Sequence, residues 1–272
     1  MEQKISGLEA WIKYFETADI PLLKRTHRDL AVLQEDADHL SVRAVTEVIS
    51  HDPLMTVTLL RYLQKHKRDT QLNEVVQIEQ ALMMLGMQTF FAKVEPRLVV
   101  EEMLHGQIPA LMGLLHTVHR ATQAAYYAKD WAVRLQDLHF DEIRIAALLH
   151  NFAEILMCCY APAEMAQVAA LQQADKALRS RDAQIQVLGF KLSDLQLALA
   201  KSWGLPELLI NFMNRTDSQQ RKMRNIVLAI NLARHADKGW DDAALPDDYK
   251  EIGEMLNMPA QQVEHLVRGQ AN

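Results

Sequence analysis

The chain has 272 residues, of which 49% are hydrophobic and 24% are charged, and its formal net charge is -6 at pH 7. This apolar content can bury a sizeable core, which argues against a disordered chain. The negative charge repels a phosphate backbone, so the composition also argues against a nucleic-acid-binding protein.

The N-terminus and the apolar runs argue against export and against a membrane protein. The stretch MEQKISGLEAW lacks a signal-peptide pattern, and no uninterrupted apolar run approaches the length of a membrane span. The two cysteines, Cys158 and Cys159, are adjacent in an apolar segment and are expected to be buried free thiols in a reducing compartment. We therefore expect a soluble cytoplasmic protein.

Helix start and stop signals are frequent in the first third of the chain. IPLLKRTHRDLAVLQED has the apolar spacing of an amphipathic helix. Ser41 is predicted to cap the helix SVRAVTEVIS, and Asp52 followed by Pro53 is the arrangement that a helix start prefers. QIEQALMMLG is expected to end at Gly86 in a left-handed conformation.

Helical patterns continue to the end of the chain. A long apolar helix is predicted after Pro109, and FDEIRIAALLHNFAEILMCCYAP is expected to form the next one, with Asp141 as its cap. Ser193 and Gln196 match a capping box, and Pro206 is expected to open a further helix. No segment alternates convincingly as a strand does, so we expect an all-α fold.

The order of these elements suggests two helical lobes and a tail. The predicted division is residues 1–110 for the first lobe, 111–240 for the second and 241–272 for a C-terminal helical tail. The tail segment EIGEMLNMPAQQVEHLVR is expected to form two short helices. Their spacing is similar to a helix-turn-helix, but Arg268 is the one arginine that the second helix offers for phosphate, so we favour a packing hairpin.

Several stretches resemble one family in the same order along the chain. VTEVISHDPLMTVTLLRYLQ looks like the "I-S-x-D-P-x-L-x-x-x-L-L-R" stretch of the HDOD family, the HD-related output domain of bacterial signalling proteins, and QIEQALMMLGMQTFF resembles its next segment. From HTVHRATQAAYYA to VLAINLARHA the chain is similar to an HD-type helical core. The resemblance covers roughly residues 15–240 and implies a two-lobed helical fold and a regulatory role, because family members commonly lack enzymatic activity.

The resemblance also implies where a metal site would lie. Active HD-type phosphohydrolases resemble one another in a His, a His-Asp pair and a later Asp, since a cation that activates water needs imidazole and anionic oxygen ligands. By that resemblance His150 is the second His, and either His116 or His119 is the first. Asn151 replaces the adjacent Asp, and Asn231 falls where the last Asp would. An amide oxygen is neutral and a weaker ligand, so a vestigial pocket without metal is expected.

A further departure follows the GLPE segment. Family members often carry a His pair there, whereas this chain has Asn214 and Arg215, and an arginine would repel a metal ion. The metal alternative stays open through His150 and Glu154, which are one helical turn apart and would share a face. With the two histidines of the earlier helix they could bind a divalent metal. The favoured alternative is a hydrogen-bonded polar patch without a cofactor.

Other candidate residues have simpler interpretations. His51 and Asp52 spell HD, but Pro53 marks a helix cap there. Three methionines are expected to pack in the core, although exposed methionines would instead indicate a binding groove; they are Met83, Met84 and Met87. A basic cluster could contact an acidic partner or a phosphorylated ligand, with solvated helix ends as the favoured alternative; its members are Arg215, Arg221, Lys222 and Arg224.

Three functions follow from these patterns. The favoured one is a noncatalytic signalling module that acts through contacts with other signalling proteins. The alternative is a metal-dependent phosphohydrolase or phosphodiesterase with an unusual ligand set, and a third is a domain that binds a small nucleotide without hydrolysis. The sequence leaves the oligomeric state open.

Overall fold

The computed structural model describes residues 5–36, 38–66, 75–175, 177–214, 221–237 and 239–269. These ranges form helices and contain no strand, apart from an isolated parallel bridge between Leu22 and Val99. The all-α prediction is confirmed. The helices are α1 (Leu8–Thr17), α2 (Lys24–Glu35), α3 (Val42–Ile49), α4 (Pro53–Lys65), α5 (Ile78–Leu85), α6 (Met87–Lys93), α7 (Val100–Met103), α8 (Ile108–Arg134), α9 (Phe140–Leu148), α10 (Phe152–Tyr160), α11 (Pro162–Ala174), α12 (Ser180–Leu188), α13 (Leu192–Ser202), α14 (Glu207–Asn214), α15 (Arg221–Ala236), α16 (Leu245–Leu256) and α17 (Ala260–Gly269).

The chain forms two compact units, and each is built from two separate segments. The first unit comprises Met1–Val118 and Asn151–Asn214, and the second comprises His119–His150 and Arg215–Asn272. The long helix α8 contributes its first part to the first unit and its remainder to the second. The predicted division at residues 110 and 240 stays a prediction.

In the first unit, Asp52 joins the N-terminal ends of two helices. One carboxylate oxygen accepts hydrogen bonds from the backbone N–H groups of Leu54 and Met55, 2.9 and 3.1 Å away, and so caps α4. The other accepts from the N–H of Leu23, which precedes α2, at 2.9 Å. Asp52 is fully buried, and these bonds satisfy backbone donors that a helix start leaves unpaired. The predicted cap is confirmed.

Arg61 on α4 forms hydrogen bonds to the C-terminal end of α1. Its guanidinium donates hydrogen bonds to the carbonyl oxygens of Glu16 at 2.6 Å and Ala18 at 3.1 Å. The same guanidinium lies 4.8 Å from the centre of the Trp203 ring, a cation–π contact. Since helix carbonyls carry partial negative charge at this end, a cation there is favourable. The first unit is completed by α1 and α10 packing on α13, and by α4 packing on α10 and α5.

In the second unit, α15 is the central packing element. It packs against α9 and α16, and α16 packs against α17. Buried Asn225 on α15 donates to the carbonyl oxygen of Ala128 on α8 at 3.0 Å. Between α16 and α17 the chain turns at Asn257 (φ 55°), where a side chain on Gly253 would come within 2.6 Å of the Met258 carbonyl oxygen. The two predicted tail helices are present as α16 and α17 and pack against each other. That the hairpin serves packing and not nucleic-acid binding stays a prediction.

Several details of the predicted helix starts and ends are wrong. The stretch expected to form one helix after residue 140 is interrupted between α9 and α10, and α9 begins before Asp141, which lies in its first turn and is not its cap. Ser193 lies inside α13 and caps nothing, because the extended residue Lys191 precedes the helix. Gly86 does end α5, with φ 81°, but its ψ of 143° is extended and not left-handed helical.

The other predicted starts and stops agree with the structure. Ser41 accepts a hydrogen bond from the Ala44 N–H at 3.2 Å and caps α3, and Pro206 directly precedes α14. Cys158 and Cys159 are buried free thiols, and burial raises the pKa of Cys159. Neither thiol is therefore a ready nucleophile.

Among the described residues, one stretch is long and apolar enough to cross a membrane, by length and composition alone. Phe140–Tyr160 has a mean hydropathy of 1.3 in its most apolar window, and 72% of that window is buried inside the protein. Because most of this stretch is buried, its high hydropathy is that of helices in the protein core.

Candidate functional site

The break between α9 and α10 places His150 in a turn. Its ring Nδ1 lies 2.6 Å from the carbonyl oxygen of Ala147, so the ring donates its Nδ1–H to that oxygen. Burial lowers the pKa of His150 to about 4, the Ala147 hydrogen bond opposes this, and the positive charges of Arg120 and Arg234 lower it further. His150 is therefore a neutral imidazole at neutral pH.

Both arginines near His150 belong to a polar network in the second unit. Arg234 donates to the side-chain oxygen of Asn231 at 3.3 Å. Arg120 forms an ion pair with Asp237 at 3.7 Å, and these two side chains are 27% and 10% exposed. Sequence reasoning did not single out Arg120, Arg234 or Asp237. Two of these residues are close in sequence to predicted site residues, since Arg120 directly follows His119 and Arg234 lies one turn after Asn231. Nothing in the sequence, however, indicated that either arginine lies near His150.

A small cavity in the second unit lies beside this network. It has a volume of about 150 Å³ and is lined by residues of α8 and α15 and by the segment after α15: His119, Gln123, Tyr127, Ala233, Ala236, Asp237 and Trp240. Burial raises the pKa of Tyr127 to about 12, so its hydroxyl stays neutral. His119 lines this cavity, whereas His116, which belongs to the first unit, does not.

The remaining predicted pocket residues lie in the first unit. Asn151 precedes α10 and makes no capping hydrogen bond with its side chain, and Glu154 lies in the first turn of that helix. The hydroxyl of Thr117 lies 3.5 Å from a Glu154 carboxylate oxygen. His116 is exposed on α8, and Asn214 is exposed at the end of α14. Because His150 comes before α10 begins, the argument that it shares a helical face with Glu154 does not hold.

The candidate metal-ligating side chains lie in the part of the chain that the structure describes. No group of three or more His, Cys, Asp or Glu side chains there is placed to hold a metal ion. Asn231, which the resemblance matches to the last Asp of HD-type enzymes, accepts a hydrogen bond from Arg234.

The predicted basic cluster is only partly described. Arg215 lies outside the described residues. Arg221 is exposed and Lys222 is half-buried on the first turn of α15. Arg224 is paired with Glu254 of α16 at 3.1 Å, so it stabilises the packing of these two helices.

The methionines on α5 do not pack as predicted. Met83 is 62% exposed and Met84 is 49% exposed, while Met87 on α6 is half-buried. Exposed methionines are flexible, polarizable side chains that suit adaptable protein contacts. We call Met83 and Met84 the methionine surface.

Comparison with known proteins identifies the family. The HDOD domain family matches residues 20–218, and the chain therefore belongs to the HDOD family. No curated protein gives a significant sequence match. The family assignment agrees with the helical order described above.

Several solved structures share the fold. The MmoQ response regulator from Methylococcus capsulatus str. Bath has a TM-score of 0.68 and 19% identity, covering 93% of this chain and 99% of that one. A virulence factor from Campylobacter jejuni has a TM-score of 0.65 and 19% identity, covering 92% and 89%. An HDOD domain protein of unknown function from Geobacter sulfurreducens has a TM-score of 0.50 and 15% identity, covering 96% and 93%. At these identities the likeness shows the fold alone.

Proposed function

We propose that this HDOD protein is a noncatalytic regulatory module of bacterial signalling, cytoplasmic, which acts by binding other signalling proteins. The observation that carries the proposal is the charge around His150. Two arginines act on this imidazole, where an active HD-type enzyme would hold a divalent cation among carboxylates. Family membership supports the signalling role.

Charge balance argues against a dication beside His150. A carboxylate ligand offsets the charge of the metal, whereas the guanidinium of Arg234 adds to it, and Asp237, the carboxylate of this network, is already paired with Arg120 at 3.7 Å. The amide oxygen of Asn231 already accepts a hydrogen bond from Arg234, so it would have to give up that bond to reach a metal. These residues do not fit the metal that the resemblance to HD-type enzymes implies, and we propose no step through it.

Protein contacts are supported by the methionine surface. Met83 and Met84 lie on α5, in the stretch that resembles a family segment, and both are exposed although they are apolar. Exposed methionines are flexible, polarizable apolar side chains that suit adaptable contacts with another protein. Of the similar structures, one is itself a response regulator.

The metal-dependent phosphohydrolase is a second candidate, and one observation favours it. Histidines that bind metals commonly donate their other ring N–H to a backbone carbonyl, which fixes the tautomer. His150 has this arrangement through Ala147. A small nucleotide bound without hydrolysis is a third candidate, since guanidinium groups such as Arg120 and Arg234 are the usual partners of phosphate oxygens.

Turnover with and without metal separates these candidates. The wild-type protein and the His150→Ala variant should be incubated with Mn²⁺ or Mg²⁺ and with phosphomonoester and phosphodiester substrates, including nucleotides. We expect the wild type to show no turnover above the variant. Metal-dependent turnover by the wild type that His150→Ala abolishes would overturn the proposal. A nucleotide that raises the melting temperature without being hydrolysed would instead support the third candidate.

A further inference from the structure

A cleft in the second unit lies beyond residue 218, where the family match ends. Its volume is about 440 Å³, and it is lined by the segment before α16 and by residues of α16 and α17. The lining side chains that bear on its chemistry are Trp240, Asp241, Asp242, Tyr249, Glu264 and Arg268. A cleft of this size can hold a large side chain of a partner.

The lining carries more negative than positive charge. Asp241 and Asp242 are exposed, and Glu264 is half-buried, whereas Arg268 is the one cation among the lining residues that the structure describes. Asp242 accepts a hydrogen bond from the Ala244 N–H at 2.9 Å, which holds its carboxylate at the cleft. The excess of carboxylates favours a cationic ligand.

The cleft already holds a guanidinium of its own chain. Arg268 pairs with Glu264 at 2.8 Å, and its guanidinium carbon lies 5.6 Å from the centre of the Trp240 ring. It also acts on the phenol of the buried residue Tyr249, whose pKa is raised by burial and lowered by this arginine. An aromatic face together with a carboxylate is a favourable environment for arginine, because the planar guanidinium stacks on a ring and forms directed bonds to oxygen.

We propose that this cleft binds an arginine side chain from a basic segment of a partner protein, and that Arg268 is the intramolecular occupant which the partner's arginine replaces. Trp240 supplies the stacking face, and Asp241, Asp242 and Glu264 supply the opposite charge. Lysine fits less well, since its ammonium is a strongly hydrated point charge that cannot stack. The inference concerns the side chains of the cleft and not His150, and it does not rest on the proposed function.

Calorimetric titration with a hexa-arginine peptide at about 0.15 M salt tests the proposal directly. Asp241→Asn should weaken binding about two- to fivefold, the effect of one exposed ion pair. Glu251→Gln is the matched control, because Glu251 is an exposed acidic residue of α16 that does not line the cleft. Arg268→Ala should tighten binding, because it removes the competing cation.

Trp240 gives an independent signal. It is half-buried, whereas Trp11, Trp131 and Trp203 are 6%, 0% and 7% exposed, so quenching by a soluble quencher reports mainly on Trp240. The peptide should protect this tryptophan, and a hexa-lysine peptide should bind more weakly. The proposal is overturned if hexa-arginine does not bind, if hexa-lysine binds equally well, or if Glu251→Gln weakens binding as much as Asp241→Asn.

Discussion

At the scale of single residues, the chemistry around His150 follows from its electrostatic neighbours. A histidine placed among carboxylates would have a raised pKa, whereas burial and two arginines keep this one neutral. That Asn151 and Asn231 stand where the resemblance implies Asp is a prediction made from the sequence. The two arginines could not be assigned to this place, because their proximity to His150 depends on how α8 and α15 fold.

Because the pKa of His150 is lowered in the folded chain, we expect the free energy of unfolding to depend on pH. The folded chain binds a proton at His150 only near pH 4, whereas the unfolded chain binds it near pH 6.5, so the stability contributed by the neutral ring is complete above about pH 6.5 and is lost as the pH falls toward 4. Urea denaturation should show that the wild type loses about 2 kcal/mol more than His150→Gln between about pH 7.5 and pH 5. Equal losses in both proteins would show that His150 is not buried as described.

Among the helices, capping residues in the sequence predicted the helix start correctly where no other residue takes the N-cap position. Ser41 and Asp52 each cap the helix that the sequence assigned to them. The prediction failed at Ser193, where Lys191 holds the N-cap position and Gln184 accepts a hydrogen bond from the Leu192 N–H at 3.0 Å. The break between α9 and α10 was missed because the apolar periodicity continues through it and neither glycine nor proline marks it.

Because Asp52 accepts hydrogen bonds at the starts of both α2 and α4, we expect its substitution to lower the free energy of unfolding considerably. In Asp52→Asn one carboxylate oxygen becomes an NH₂ group, which leaves either the α2 or the α4 backbone donors without a partner. We expect a loss of about 3 kcal/mol in the free energy of unfolding, since a buried backbone donor left without a partner costs about 1–3 kcal/mol. Ser41→Ala, which removes an exposed cap, should cost only about 1 kcal/mol in the same denaturation experiment. Equal costs would contradict the role assigned to Asp52.

At the scale of the whole molecule, the class of fold was predictable and the grouping of segments was not. Frequent helix signals without strand alternation determine an all-helical chain, and the order of motifs indicated the HDOD family, which the comparison confirms. The two compact units each combine distant segments, such as residues 119–150 with 215–272, and such grouping depends on long-range packing that no local pattern records. The exposure of Met83 and Met84 was missed for the same reason, since the sequence does not show which face a neighbour covers.

We propose that this chain keeps the helices of an HD-type core and has lost the metal site that the resemblance implies. Elemental mass spectrometry of wild-type protein, purified without chelator or affinity tag, measures metal per chain directly. We expect far less than one divalent metal ion per chain, because arginines and amides stand where a dication needs carboxylates. About one or two tightly held ions per chain, lost in His150→Ala, would contradict the account and establish His150 as a ligand.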